Sequence, residues 1–268
     1  MYNLIKAEFV KLRKNRTFQI LIGLSIVVAI SLVTLFILAT HNVLYVEIYD
    51  GFSIMQATPD QHFHMSGMES FYSTLWNNPV LLLVIISVLA GFFISNDYRS
   101  GAFKNAIVCG NERLYIYTAK WITFTSGIII ILTVYSLLIT VGMSLLFSFW
   151  AGSEGILDMI RTFWLYLVHV IGYCSIIALL AFLVEESGKT ITLSIVVVGG
   201  LWIVLVFSAR NNPFMADLYQ LTFFYQLVAV AELPQTTWEI TKGILGSLIT
   251  IVASSTVGVT LFERKELK

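Results

Sequence analysis

Six stretches of this chain are long and apolar enough to cross a bilayer, and no other feature limits its fold so strongly. They run 18–39, 79–95, 121–150, 163–184, 191–208 and 243–262. A hydrocarbon core about 30 Å thick takes roughly 20 such residues in a helix. Lipid offers no hydrogen-bond partner to an open strand, so each stretch is read as a helix. The composition agrees: 57% of residues are hydrophobic and 12% charged, where soluble domains carry about 25% charged residues. The expected fold class is therefore an all-α membrane protein with six transmembrane helices. The first apolar run is too long for the core of a signal peptide, and no small-residue cleavage pattern follows it closely. No cleavable signal is expected.

Direction follows from the cations. With the N-terminus in the cytosol, the inner segments carry Lys6, Lys11, Arg13, Lys14, Arg16, Arg99, Lys104, Arg113, Lys120, Lys189, Arg264, Lys265 and Lys268. The outer segments carry only Arg161, Arg210 and Lys242. Basic residues near span ends favour the cytosolic side, so both termini are expected there. Three outer segments result, 41–78, 151–162 and 209–242, with inner loops at 96–120 and 185–190. The organisation is a single transmembrane domain over 1–268: an interfacial helix 1–17, a six-span bundle 18–262 and a cytosolic tail 263–268. Sixteen basic residues balance sixteen acidic ones, which leaves no basic face for nucleic acid. Cys109 falls in an inner loop and Cys174 within a span, so no disulfide is expected.

Several segments carry patterns of their own. At 100° per residue, Tyr2, Ile5, Phe9 and Leu12 fall within about 80° of one another, while Lys6, Lys11, Arg13 and Lys14 lie mostly elsewhere. Such a basic amphipathic helix suits the plane of the inner leaflet. In the first inner loop, Asp97 follows the second span and Gly101 comes four residues later. Residues 102–108 read as a short mixed helix broken at Gly110 and Asn111, with Asn111 placed to N-cap the next helix. A short polar helix there is suited to receive force from a cytosolic partner. In the second inner loop, Ser187, Gly188, Lys189 and Thr190 imitate the end of a phosphate-binding loop. Leu183 stands where that motif needs a glycine, and a span follows, so a tight interhelical turn is expected.

The spans hold almost no charge, which speaks against an ion-coupled carrier. His169 is the main titratable exception and is read as a packing histidine. Asp60, His62 and His64 alternate in the first outer segment and are read as part of a solvated loop, with no metal site expected. No His-Glu-x-x-His stretch occurs. In 209–242, Leu218, Leu221, Phe224, Tyr225 and Val228 recur at helical spacing between Pro213 and Pro234. They predict an amphipathic or re-entrant helix at the outer surface.

This layout resembles the type-2 ABC exporter permeases of the Gram-positive peptide and antibiotic export type. Those have a basic interfacial helix before the first span, a long outer loop, and an inner acidic-x-x-x-Gly segment after the second span. An Arg and a Lys then lead into the third. The matching positions here are Asp97, Gly101, Arg113 and Lys120; Asp97 stands where glutamate is commoner, and Ala102 where threonine often follows the glycine. The resemblance implies a cytosolic coupling helix that docks in a groove of a separate ATPase. Candidate contacts are then Asp97, Tyr98, Arg99, Gly101, Phe103, Lys104 and Asn105, with Glu185 and Glu186 as a lesser contact. It implies no catalytic residue and no cofactor on this chain, ATP and Mg²⁺ belonging to two copies of the ATPase subunit. Other implied partners are a second permease chain, identical or related, the lipid bilayer, and a hydrophobic or amphipathic cargo. An antimicrobial peptide is the first expectation for that cargo, its removal conferring resistance or self-immunity. The implied location is the bacterial plasma membrane, with no nucleic-acid partner. Two other classes fit the same layout: a sensor or structural membrane subunit without transport, and a membrane-embedded enzyme.

Overall fold

The computed structural model describes residues 1–40, 66–76, 79–149, 155–231 and 236–265, and every regular element among them is helical. The order is α1 (Tyr2–Lys14), α2 (Arg16–Thr40), α3 (Gly67–Trp76) and α4 (Pro79–Ala90). A π turn over Gly91–Ser95 carries α4 into α5 (Asn96–Arg99), followed by α6 (Ala102–Val108) and α7 (Arg113–Leu146). Then come α8 (Ile156–Leu183), α9 (Ser187–Asn211), α10 (Pro213–Gln220), α11 (Phe223–Ala229) and α12 (Thr237–Arg264). Six helical stretches are long and apolar enough to cross a membrane: Arg16–Leu38, Val80–Arg99, Arg113–Leu146, Ile156–Leu183, Ser187–Asn211 and Thr237–Arg264. The protein is a multi-pass, all-α membrane protein.

Helix ends follow local chemistry. The Asn15 side chain accepts from the Phe18 N–H at 3.1 Å and starts α2. Thr236 and Glu239 form a reciprocal cap at the start of α12, which satisfies donors that the helix itself leaves orphaned. Gly110 sits at φ +84 and closes α6: its N–H bonds to Ile107 O and that of Asn111 to Ala106 O, a Schellman pattern. Asn111 therefore finishes α6, and Glu112 is the N-cap of α7. The expected N-cap at Asn111 is corrected accordingly.

Three further differences from the sequence reading concern reach. First, α7 begins at Arg113, well before the apolar run at 121, because amphipathic residues continue the helix beyond the hydrocarbon. Its 34 residues span about 51 Å. Second, the first outer segment contains α3, whose Gly67 N–H bonds to Ser148 O at 2.8 Å beside the far end of α7. From there α3, α4 and α5 descend along α7, so that Leu89 reaches Gly127 and Asp97 reaches Lys120. Third, the apolar segment before Pro234 forms two short helices, α10 and α11, with a turn at Leu221 and Thr222 between them. The Leu221 carbonyl is pressed to 2.5 Å from where a Cβ on Gly246 would stand.

α4, α7 and α8 form the centre, and α2, α9 and α12 expose most of their surface. α2 runs along α7, α12 along α8 and α9 along α4. Small residues set the closest crossings, as expected between helices in lipid. At Gly91 a Cβ would lie 2.8 Å from Ser187 O and from Ile191 Cγ1, so α9 touches the backbone of the π turn there.

Candidate functional site

The residues singled out in the first inner loop gather at one end of the bundle, where α1, α5, α6 and the ends of α7, α8 and α12 meet. Burying a charge is costly unless it is paired, and here four are paired together. The Lys120 ammonium, on α7, lies 2.5 Å from Asp97 Oδ2 and 2.6 Å from Glu8 Oε2. It also sits 4.2 Å from the centre of the Phe93 ring. The second Asp97 oxygen accepts from the Lys11 ammonium. Two carboxylates and two ammoniums thus balance, with Lys120 and Asp97 almost fully buried at 1% and 4% side-chain exposure. The network joins α1 to the end of the second span and the start of the third. Beside it, Leu12 wedges α1 against Gly127, with its Cδ2 only 3.1 Å from where a glycine Cβ would be.

Past Asp97 the chain reverses. Gly101 adopts φ +71, a left-handed conformation that costs side chains with a Cβ roughly 1 kcal/mol or more. The turn folds α6 back so that the Phe103 ring packs 4.7 Å from Tyr98, 5.3 Å from Phe262 and 5.7 Å from Phe182. Tyr117 stacks 4.4 Å from Phe182 on the other side. The Tyr98 hydroxyl donates to Phe182 O at 2.6 Å. Lys265 donates to Phe182 O and Leu183 O, and its ammonium lies 4.2 Å over the Tyr98 ring. Burial pushes the Lys265 ammonium below the usual lysine range, while Glu185 opposes the shift. Arg113 donates to the carbonyls of Phe262, Glu263 and Lys265 at 2.7–2.9 Å. The last carbonyls of α8 and α12, which have no partner within their helices, are thereby closed by cations.

The sequence-predicted residues thus divide. Asp97 and Phe103 are buried in the ion network and the aromatic cluster, and Tyr98 is half-buried between them. Arg99, Lys104 and Asn105 face outward, as do Glu185 and Glu186. The Lys189 ammonium, 2.8 Å away, holds the Glu186 carboxyl below its ordinary range. Thr190 is buried, with its hydroxyl 2.8 Å from Ser95 Oγ, and Ser95 in turn donates to Ala181 O. The stripe read in the N-terminal helix separates as well: Leu12 is buried, Ile5 half-buried, and Tyr2 and Phe9 are exposed.

Sequence reasoning missed Glu8 and Val108. Glu8 is the one acidic residue in an otherwise basic N-terminal stretch, a signal that it balances a buried cation. Val108 ends α6 with 86% of its surface exposed, beside the exposed Lys104 and Asn105. In the opposite half of the bundle, His169 Nδ1 pairs with Ser247 Oγ, and the buried Gln226 of α11 and the His169 ring both approach Gly243. This places His169 between α8 and α12 as a packing residue. Asp60, His62 and His64 lie outside the described residues. Among the described residues no group of three His, Cys, Asp or Glu side chains is arranged to hold a metal ion.

A family model described as "ABC-2 family transporter protein" matches residues 4–203, about three quarters of the chain. No curated protein matches it.

Proposed function

The chain belongs to the ABC-2 transporter family and is a membrane subunit of a transporter; from that premise we propose that it is the permease of an ATP-driven exporter. A separate ATPase docks on the end of the bundle formed by α5 and α6, which faces the cytosol together with both termini. Two permease chains, identical or related, pair above two ATPase copies in a bacterial plasma membrane. The carrying observation is the construction of α6. Its inner side is fastened by Phe103 to the ends of α8 and α12, and Asp97 just before it is fastened to α7 and α1. Its outer side presents Lys104, Asn105 and the apolar Val108 to solvent. A push on a helix held this way reaches four other helices, whereas a free loop would absorb it.

Arg99, Lys104, Asn105 and Val108 are therefore the contact residues in this reading, with Glu185 and Glu186 beside them. Asp97, Tyr98, Gly101 and Phe103 shape and brace the coupling helix. The cargo is hydrophobic or amphipathic, an antimicrobial peptide being the first choice, because the spans offer almost no charged lining. The test is co-purification of the full chain with its ATPase from the native membrane. Val108→Asp combined with Lys104→Glu should lower ATPase retention by roughly thirtyfold if Val108 is an interface anchor worth about 2 kcal/mol. The permease should remain folded. Retention equal to that of the unmodified chain, or labelling of Cys109 only from outside the cell, would overturn the reading. Stimulation of ATPase activity by membrane-active peptides tests the cargo separately.

A further inference from the structure

The elbow between α1 and α2 carries charge that the bundle does not use. Arg13 and Lys14 close α1 and Arg16 opens α2, and all three side chains are exposed. None takes part in the ion pairs found among the described residues. The elbow is held in shape: Gln19 Nε2 donates to Arg13 O at 3.0 Å, and Asn15 caps α2. Three like charges are thus held within four residues of chain without a counter-ion. Beneath Arg16, at helical spacing on the same side of α2, stand Ile20, Leu24 and Val27, exposed by 66%, 51% and 60%.

We propose that this elbow is a binding site for an anionic phospholipid, its phosphate seated among Arg13, Lys14 and Arg16 and an acyl chain lying along Ile20, Leu24 and Val27. Charge complementarity calls for an anion, and the apolar strip directly below calls for one that carries hydrocarbon. A soluble acidic protein or a free phosphate would leave that strip uncovered. Glu8, Lys11 and Leu12 of α1 reach into the bundle, so a lipid held at the elbow also holds α1 over the Asp97–Lys120 pair. Assigning the lipid to the cytosolic leaflet rests on the orientation proposed above; the match of charge and apolar surface does not.

The test uses the full chain in nanodiscs of mixed phosphatidylcholine and phosphatidylglycerol, with the same composition in both leaflets, released for native mass spectrometry. Phosphatidylglycerol should leave with the protein well above its share of the bilayer. Each surface cation contributes roughly fivefold to attraction for an anionic surface, and salt screens part of it. Arg13→Gln/Lys14→Gln/Arg16→Gln should therefore reduce the enrichment by about tenfold or more. If the triple variant loses its helical circular dichroism, Arg16→Gln alone serves, with an expected drop of roughly fivefold. Lipid retention at the bulk ratio by the unmodified chain, or undiminished enrichment in the folded variant, would refute the site. Displacement of the lipid by inorganic phosphate alone would refute the acyl-chain half. Because both leaflets are alike, this outcome stands even if outside labelling of Cys109 reverses the orientation.

Discussion

Where α1 meets the bundle, two ammonium and two carboxylate groups pack together; nearer α11, the buried polar cluster is His169, Ser247 and Gln226. The first cluster spans three helices and is held by charge. The second is held by single hydrogen bonds and by the small Gly243. Removing one partner of a buried ion network leaves an uncompensated charge in a poor solvent and costs about 3–5 kcal/mol. Orphaning one neutral buried group costs about 1–3 kcal/mol. The α1 end is thus the more sensitive to losing one partner, and the α11 end the less.

The contrast can be broken at its strong side first. Lys120→Met leaves the buried Asp97 and the half-buried Glu8 without their shared cation, and should lower stability by about 3–5 kcal/mol. Thermal unfolding in detergent reads this, and adding Asp97→Asn and Glu8→Gln should restore most of the loss. A Lys120→Met chain as stable as its parent would mean that the network is solvated. At the other cluster, Ser247→Ala removes the partner of His169 Nδ1 and should cost about 1–3 kcal/mol by the same measurement. A loss as large as that of Lys120→Met would erase the asymmetry. Gly243→Ala is the mildest change. The new Cβ would stand 2.5 Å from Gln226 Oε1 and 3.1 Å from His169 Cε1, and Gln226 is tethered by its 2.7 Å bond to Gln220 O. Its amide end must shift, at a cost near 1 kcal/mol, seen as a small fall in melting temperature.

Much of the fold was legible because apolar length is a local property. The six spans and the short helix at 102–108 follow from residues close in sequence. The candidate site was legible only in part. Asp97 and Phe103 stood out by position in the loop, yet nothing nearby tells whether such residues point at a partner or at the bundle. Asp97 is paired with residues 86 positions before it and 23 after it, and Phe103 packs against Phe182 and Phe262. Neither pairing leaves a periodic trace. Glu8 was overlooked for the same reason, since its partner lies on α7.

Taken alone, the sequence decided that the chain is helical, how many times it can cross a membrane, and where its cations concentrate. Transfer from water to hydrocarbon is a sum over neighbouring residues, so a window of about twenty suffices to read it. Only the tertiary structure decided which charges are buried and which are offered outward. Pairing energy depends on distances between helices that the chain brings together from remote positions, and it is those distances that made Asp97 and Lys120 a brace while leaving Lys104 and Val108 as a surface.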